Sequence, residues 1–409
     1  MLAPHPFQFF ANPNAGTPGL VVLPTGGFRR AKAEIMSWPG YAPTPLLDLP
    51  DIARAAGVGT VRLKDEAGRF GLGSFKALGG AYAVLNLLRD DLSRRGLVAA
   101  VRSADLLEGE WREQTRTITV TSATDGNHGR SVAWAAQRFG CRAVIFVHAA
   151  VSQSRIDAIA AYGAEIRVVA GTYDDAVREC GRTAQAEGWL VVSDTSWPGY
   201  TEIPRDVMQG YRLMADEALD QWAAPDQQEM DQRAMDQREP PQPTHVFMQG
   251  GVGGAAAAVS VHMRLRISPC PMLVVVEPER AACLLASAEA GGLTSVPGGL
   301  DTIMAGLACG EPSLLAWQEL ERGAAAFMAI PDAAAIDCMR LLAADGIVSG
   351  ESGVAGLAGF LLAAADPAAR EVLGLSETSR VLLFSTEGAT DPRIYEKLIG
   401  PDANKSSIG

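Results

Sequence analysis

The chain has 409 residues, 48% of them hydrophobic and 20% charged, with a formal net charge of −12. That length and apolar share support a large core and two domains, and they exclude disorder over most of the chain. The negative balance argues against nonspecific binding to DNA or to an anionic membrane, while leaving room for a small anionic ligand in a local pocket.

The six cysteines are widely spaced with no C-x-x-C, and the five histidines do not cluster, so no metal site is expected. The chain opens without a basic segment followed by an apolar run, and it contains no apolar run of membrane-spanning length. A cytoplasmic protein with free thiols is the expectation. A disulfide between Cys283 and Cys309 stays open, because spacing does not give geometry.

The first feature in chain order is Arg69–Tyr82, "RFGLGSFKALGGAY". It places Lys76, one of five lysines among 35 basic residues, in glycine-rich and apolar company. Apolar residues at 77, 78, 81, 84, 85 and 88 predict a helix with one buried face. Ser74 is the expected N-cap, which puts Lys76 in the first turn. The helix dipole and the apolar neighbours both disfavour an ammonium there. An amine so placed suits a Schiff base with an aldehyde. The plainer alternative is a lysine that snorkels at a helix end. Lys64 is a weaker candidate, since Asp65 and Glu66 follow it and favour its charged form.

From residue 117 short β-rich runs alternate with alanine-rich helical stretches. Strands are expected at 117–121, 143–147, 165–169 and 189–193, with helices at 129–139, 151–162 and 173–187. A second series has strands at 245–248, 272–276 and 380–384. Repeated βα units with nearly continuous apolar strands predict parallel sheets covered on both faces. Two series imply two α/β sheets with a cleft between them.

Several loops after these strands carry polar groups. "TSATDGNHGRS" offers Ser122, Thr124, Asp125, Asn127 and His128 in one turn, and "VVSDTSWPGY" sets Asp194 directly after a strand. Both aspartates thus fall at the carboxyl ends of strands, where open α/β sheets bind ligands. The plainer reading is turn and cap residues. Residues 225–243, "PDQQEMDQRAMDQREPPQP", in which Met-Asp-Gln-Arg occurs twice, depart from this texture and read as a polar surface insertion.

"MQGGVGGAAAAV" places Gly250, Gly251, Val252, Gly253 and Gly254 between a strand and a helix. Such a loop, with the helix N-terminus behind it, cradles a phosphate. Two ligands fit: a cofactor monophosphate, or a dinucleotide, because Gly251-x-Gly253-x-x-Ala256 is followed by Glu277 at the end of the next strand. Near the C-terminus "VLLFSTEGATDP" adds Ser385 and Thr386 after a strand, hydroxyls suited to a heterocycle nitrogen or to helix capping.

Together these motifs resemble the fold-type II pyridoxal phosphate (PLP) enzymes, the group of tryptophan synthase β and threonine dehydratase. The closer resemblance is to the diaminopropionate ammonia-lyase family. It runs from about Phe28 to Tyr395 through "ATDGNHGR", "MQGY", "TIMAGLACGEP", "SGESG" and other ordered strings. Gly73, Ala389 and the 225–243 insertion depart from the family pattern.

The resemblance implies two three-layer α/β/α domains with mainly parallel sheets and a PLP cleft between them. Residues 1–81 and 206–409 would form the large domain and 82–205 the small one. It implies α,β-elimination of both D- and L-2,3-diaminopropionate to pyruvate and ammonia, and a homodimer. Lys76 would hold PLP and act as base toward the L-isomer, and Asp125 would take the α-proton of the D-isomer. Asp194, with Ser122 and Thr124, would bind substrate. Asn127 would bond the ring oxygen, Ser385 or Thr386 would face the ring nitrogen, and residues 250–254 would hold the phosphate. The alternatives are a serine/threonine dehydratase, a nicotinamide-dependent oxidoreductase and a PLP-binding protein without turnover.

Overall fold

The computed structural model describes residues 3–97, 101–124, 126–224 and 241–400. The larger sheet has seven strands in the order β1-β10-β9-β8-β11-β3-β2. They are β1 (Gln8–Ala11), β2 (Leu46–Asp48), β3 (Thr60–Asp65), β8 (His245–Gln249), β9 (Met272–Pro278), β10 (Ala326–Ile330) and β11 (Arg380–Ser385). The five inner strands run parallel, and β1 and β2 close the two edges antiparallel. The smaller sheet is wholly parallel, in the order β6-β5-β4-β7. Its strands are β4 (Thr119–Thr124), β5 (Arg142–His148), β6 (Glu165–Val169) and β7 (Leu190–Val191).

The predicted strands formed where apolar runs marked them because those runs are buried on both faces: every residue of β8 is buried, and every residue of β9 but its first. Helices cover both sheets, so the ladder ends that carry loops point toward one another across a cleft. Among the described residues no helix is long and apolar enough to cross a membrane.

Two helices connect the sheets' walls, Ala77–Arg94 and Glu202–Ala223. Their contact is made by glycines. A Cβ on Gly79 would stand 2.5 Å from Tyr211 Cε1 and 2.6 Å from the Val207 carbonyl oxygen, so backbone meets backbone there. A buried ionic group lies behind this pair. Lys64 Nζ donates to Glu217 at 2.8 Å, to Thr44 O at 2.6 Å and to Gln221 at 2.9 Å, and Arg69 bridges Glu66 and Glu217. Lys64 is fully buried and committed to this network.

The 225–243 insertion lies outside the described residues over 225–240. Its far end is described: Trp222 Nε1 donates to Pro241 O at 2.9 Å, and Arg380 Nε donates to Gln242 O at 2.6 Å.

Candidate active site

Lys76 sits where the loop 69–76 enters its helix, and the helix begins two residues later than the spacing predicted. The N-cap is Lys76, with no side-chain cap bond, and Ser74 forms a β-bridge with Glu387. Phe75 N donates to Thr386 O at 3.2 Å and Gly388 N to Gly73 O at 2.9 Å, so the lysine loop is stitched to the loop after β11. Pairing of Ser74 with that loop removes it from the capping position. Gly73 has φ +75°, a left-handed conformation that a larger residue adopts only with strain.

Lys76 Nζ donates to Asp194 Oδ2 at 2.6 Å and lies 5.2 Å and 5.6 Å from the ring centres of Phe75 and Tyr211. A carboxylate and two aromatic faces favour the ammonium form. The expectation of an amine biased toward neutrality by its surroundings left this carboxylate out of account. Burial alone would raise the Asp194 carboxyl, but the Lys76 charge and hydrogen bond hold it well below the usual carboxylate range. His128 donates through Nε2 to Val192 O at 2.9 Å, and its Nδ1 lies 3.8 Å from Asp194 Oδ2. Burial lowers the His128 pKa, so the ring is neutral and Nδ1 is an acceptor.

The glycine loop folds as a cup. Gly251 and Gly253 have φ of +62° and +94°, and Gly253 caps the Gly254–Arg266 helix. A Cβ on Gly250 would stand 2.5 Å from Glu277 Cγ. Gly250, Gly251, Val252 and Gly254 line the cleft. Gly253 does not; it faces Ala316, Leu284 and Leu320 behind the loop. Glu277 is fully buried, and its two oxygens accept from Leu284 N at 2.9 Å and Leu285 N at 2.8 Å. It braces the next helix and has no surface to offer a ribose, which overturns the dinucleotide reading of this loop.

Asn127 opens its helix, and its Nδ2 donates to Glu387 Oε2. Glu387 Oε1 accepts from Ser352 N at 3.0 Å. Two further contacts cross the same side of the cleft: Arg155 Nη2 to Glu351 Oε1 and Ser152 Oγ to Asp391 Oδ2, each at 2.5 Å. Thr124 lines the cleft, but its Oγ1 accepts from Gly126 N and Gly129 N at 3.0 Å and so also caps the turn.

Ser122 does not reach the cleft, being fully buried with its hydroxyl on Ala123 O. Ser385 is likewise buried behind the wall and donates to Ser349 Oγ at 2.7 Å, whereas Thr386 lines the cleft. Asp125 lies outside the described residues. No disulfide joins Cys283 and Cys309.

The cleft encloses about 740 Å³ of space, including its mouth, and its lining adds Phe75, Tyr173, Tyr211, Gln249, Ser352 and Glu387 to the residues read from the sequence. Nothing in spacing marks the two tyrosines, because each sits in an ordinary helical context. The cleft fits a phosphorylated aromatic aldehyde. A cup shaped for close backbone approach lies at one end, a lysine stands in the middle wall and an amide with a hydroxyl lies opposite. Buried polar atoms of Gln249 (Oε1) and His128 (Nδ1) make no hydrogen bond among the described residues.

Two α/β sheets, a helix-start lysine and a glycine cup facing it define the class, a PLP-dependent enzyme of fold type II. The family model described as "Pyridoxal-phosphate dependent enzyme" matches residues 37–386. Diaminopropionate ammonia-lyase of Escherichia coli (strain K12) is 41% identical over 369 residues, covering 88% of this chain and 88% of the relative. The crystal structure of the selenomethionine-incorporated holo form of diaminopropionate ammonia lyase from Escherichia coli has a TM-score of 0.86 at 37% identity, with 98% of each chain covered. Likeness to the biosynthetic L-threonine dehydratase of Escherichia coli is weaker, 27% identity over 48% of this chain and 33% of the relative. The chain belongs to the diaminopropionate ammonia-lyase family of PLP-dependent enzymes.

Proposed function

We propose that this chain eliminates ammonia from 2,3-diaminopropionate, accepting both enantiomers and giving pyruvate and two molecules of ammonia. The observation that carries this reading is the 2.6 Å pair of Lys76 Nζ and Asp194 Oδ2 beside the glycine cup, in a chain 41% identical to a diaminopropionate ammonia-lyase. When bound, PLP supplies an aldehyde that condenses with amines and a ring that accepts the electrons released at Cα.

Within the 250–254 loop, the backbone N–H groups of Gly251, Val252 and Gly254 and the start of the Gly254–Arg266 helix would hold the phosphate, while those of Gly250 and Gly253 are bonded to Val276 O and Gly250 O. Asn127 bonds the ring oxygen, its orientation set by Glu387. Thr386 rather than Ser385 is the hydroxyl nearer the ring nitrogen, since it is the one that lines the cleft. A hydroxyl there does not force ring protonation as an aspartate would, which favours expulsion of a β-leaving group. Lys76 holds the aldehyde and takes the α-proton of the L-isomer at Nζ. Asp194 exchanges the lysine ammonium for a substrate ammonium, an exchange of like charges that leaves the buried carboxylate paired throughout. Asp125 takes the α-proton of the D-isomer, an assignment that rests on its place in "ATDGNHGR". The β-ammonium leaves as neutral ammonia, and water then releases the second ammonia from the product.

Residues 1–81 and 206–409 serve as the cofactor-binding domain and 82–205 as the smaller one, and the working assembly is a homodimer. Light scattering after gel filtration tests the assembly.

Pyruvate formation from D- and L-2,3-diaminopropionate and from serine tests the reaction. Absence of pyruvate from both diaminopropionate isomers would reject it, and faster turnover of serine would favour a dehydratase. Asp125→Asn should lower D-isomer turnover far more than L-isomer turnover, and equal losses would refute the two-base assignment.

A further inference from the structure

We propose that Tyr211 is a positioning residue for Lys76: its phenol takes the hydrogen bond of the lysine amine when Asp194 is occupied by substrate, and so keeps Nζ aimed into the cleft. The inference rests on the elimination reading above.

Tyr211 lies on the Glu202–Ala223 helix, is 1% exposed and lines the cleft. Its hydroxyl is buried, and Lys76 is the side chain that stands near enough to hydrogen-bond it. A buried hydroxyl needs a partner, and the lysine amine supplies one. Lys76 Nζ is 5.6 Å from the ring centre on a flexible four-carbon stem, within reach of the hydroxyl.

The ring itself is fixed. It packs against Phe75 with centroids 4.6 Å apart, and its Cε1 fills the space that a side chain at Gly79 would need. A fixed hydroxyl beside a mobile amine is a positioning device.

The chemistry of the two partners differs in a useful way. An ionised carboxylate only accepts hydrogen bonds, so Asp194 suits Lys76 as an ammonium. A neutral phenol both donates and accepts, so Tyr211 suits the amine in either protonation state. Burial, with Asp194 adding to it, raises the phenol pKa against the opposing pull of Lys76, which keeps the hydroxyl protonated. A base that must lose and regain a proton at Nζ needs a partner of this second kind.

Tyr211→Phe keeps the ring and removes only the hydroxyl, so folding should be preserved. In the cofactor-free chain, PLP attachment to Lys76, followed by its violet-blue absorbance, should slow about tenfold. Binding of pyridoxine phosphate, which has no aldehyde, should be unchanged by calorimetry. Turnover of L-2,3-diaminopropionate should fall about tenfold in kcat with little change in KM, and D-isomer turnover should fall less. Unchanged attachment rate would overturn the proposal. So would an equal weakening of pyridoxine phosphate binding, which would make Tyr211 a direct cofactor contact. The attachment rate needs no substrate, so it decides the role of Tyr211 even if neither isomer proves to be turned over.

Discussion

Gly210 packs on Leu78 so closely that a Cβ there would stand 1.9 Å from the Leu78 carbonyl oxygen. The Lys76-bearing helix and the Tyr211-bearing helix therefore touch through their backbones, and no side chain can yield to relieve an added methyl. Gly210→Ala should destabilise the protein by about 3 kcal/mol or more, at the upper end of overpacking costs, and should weaken PLP attachment. Urea unfolding and the absorbance of bound PLP check this, and a variant as stable as the parent would contradict the contact.

Asp194 and Lys76 meet at 2.6 Å across 118 residues of chain. Asp194→Asn keeps the shape and removes the charge that substrate and lysine share. Both isomers should lose at least about a hundredfold in kcat/KM, the scale of a lost charged group in a catalytic pair. Steady-state assays on each isomer decide; undiminished activity on both would remove Asp194 from the site.

Glu217 receives Lys64 and Arg69 in a buried network away from the cleft. Glu217→Gln leaves two buried cations with one fewer anion and should cost about 3–5 kcal/mol in urea unfolding. The PLP absorbance of the folded variant should persist. Its loss with stability intact would show that this network acts on Lys76 rather than on the fold.

Asp206 supplies a pH test. Burial, against a hydrogen bond from Asn86 that lowers it, raises its pKa to about 6. Below about pH 4 the group is protonated in both folded and unfolded chains and carries no penalty. As pH rises through about 6 the folded protein has to ionise it against burial, so stability is lost on that rise and then levels off. Asp206→Asn can still accept from Asn86. It should be more stable than the parent by about 2 kcal/mol at pH 8 and equal to it at pH 4. Equal stability at both pH values would refute the shift.

The strands and helices from 119 to 191 were legible in the sequence because apolar runs and turn residues there agree, and β6 and the helix Tyr173–Glu187 coincide with their expected bounds. Strands β1, β2, β3 and β10 escaped notice. β3 carries Arg62 and Lys64 within it, and β10 is a five-residue run just before an alanine-rich helix, Asp332–Ala344, that shares its composition. The glycine cup and Lys76 were legible because their residue types are costly elsewhere. Which hydroxyl faces the cleft was not, since Ser385 and Thr386 are neighbours and only the pleat at the end of β11 separates them. Tyr211 was hidden because its role comes from a helix crossing, and a crossing between residues 79 and 210 leaves no local signal.

The contacts Asn127–Glu387, Arg155–Glu351 and Ser152–Asp391 fasten one side of the cleft with groups that water can replace one for one. The opposite side is the glycine contact between two helix backbones, where parting exposes apolar surface with nothing to replace it. A cleft held by exchangeable bonds on one side and by packing on the other parts more readily on its polar side. Lys76 stands at the start of the packed helix, on the side joined by backbone contact.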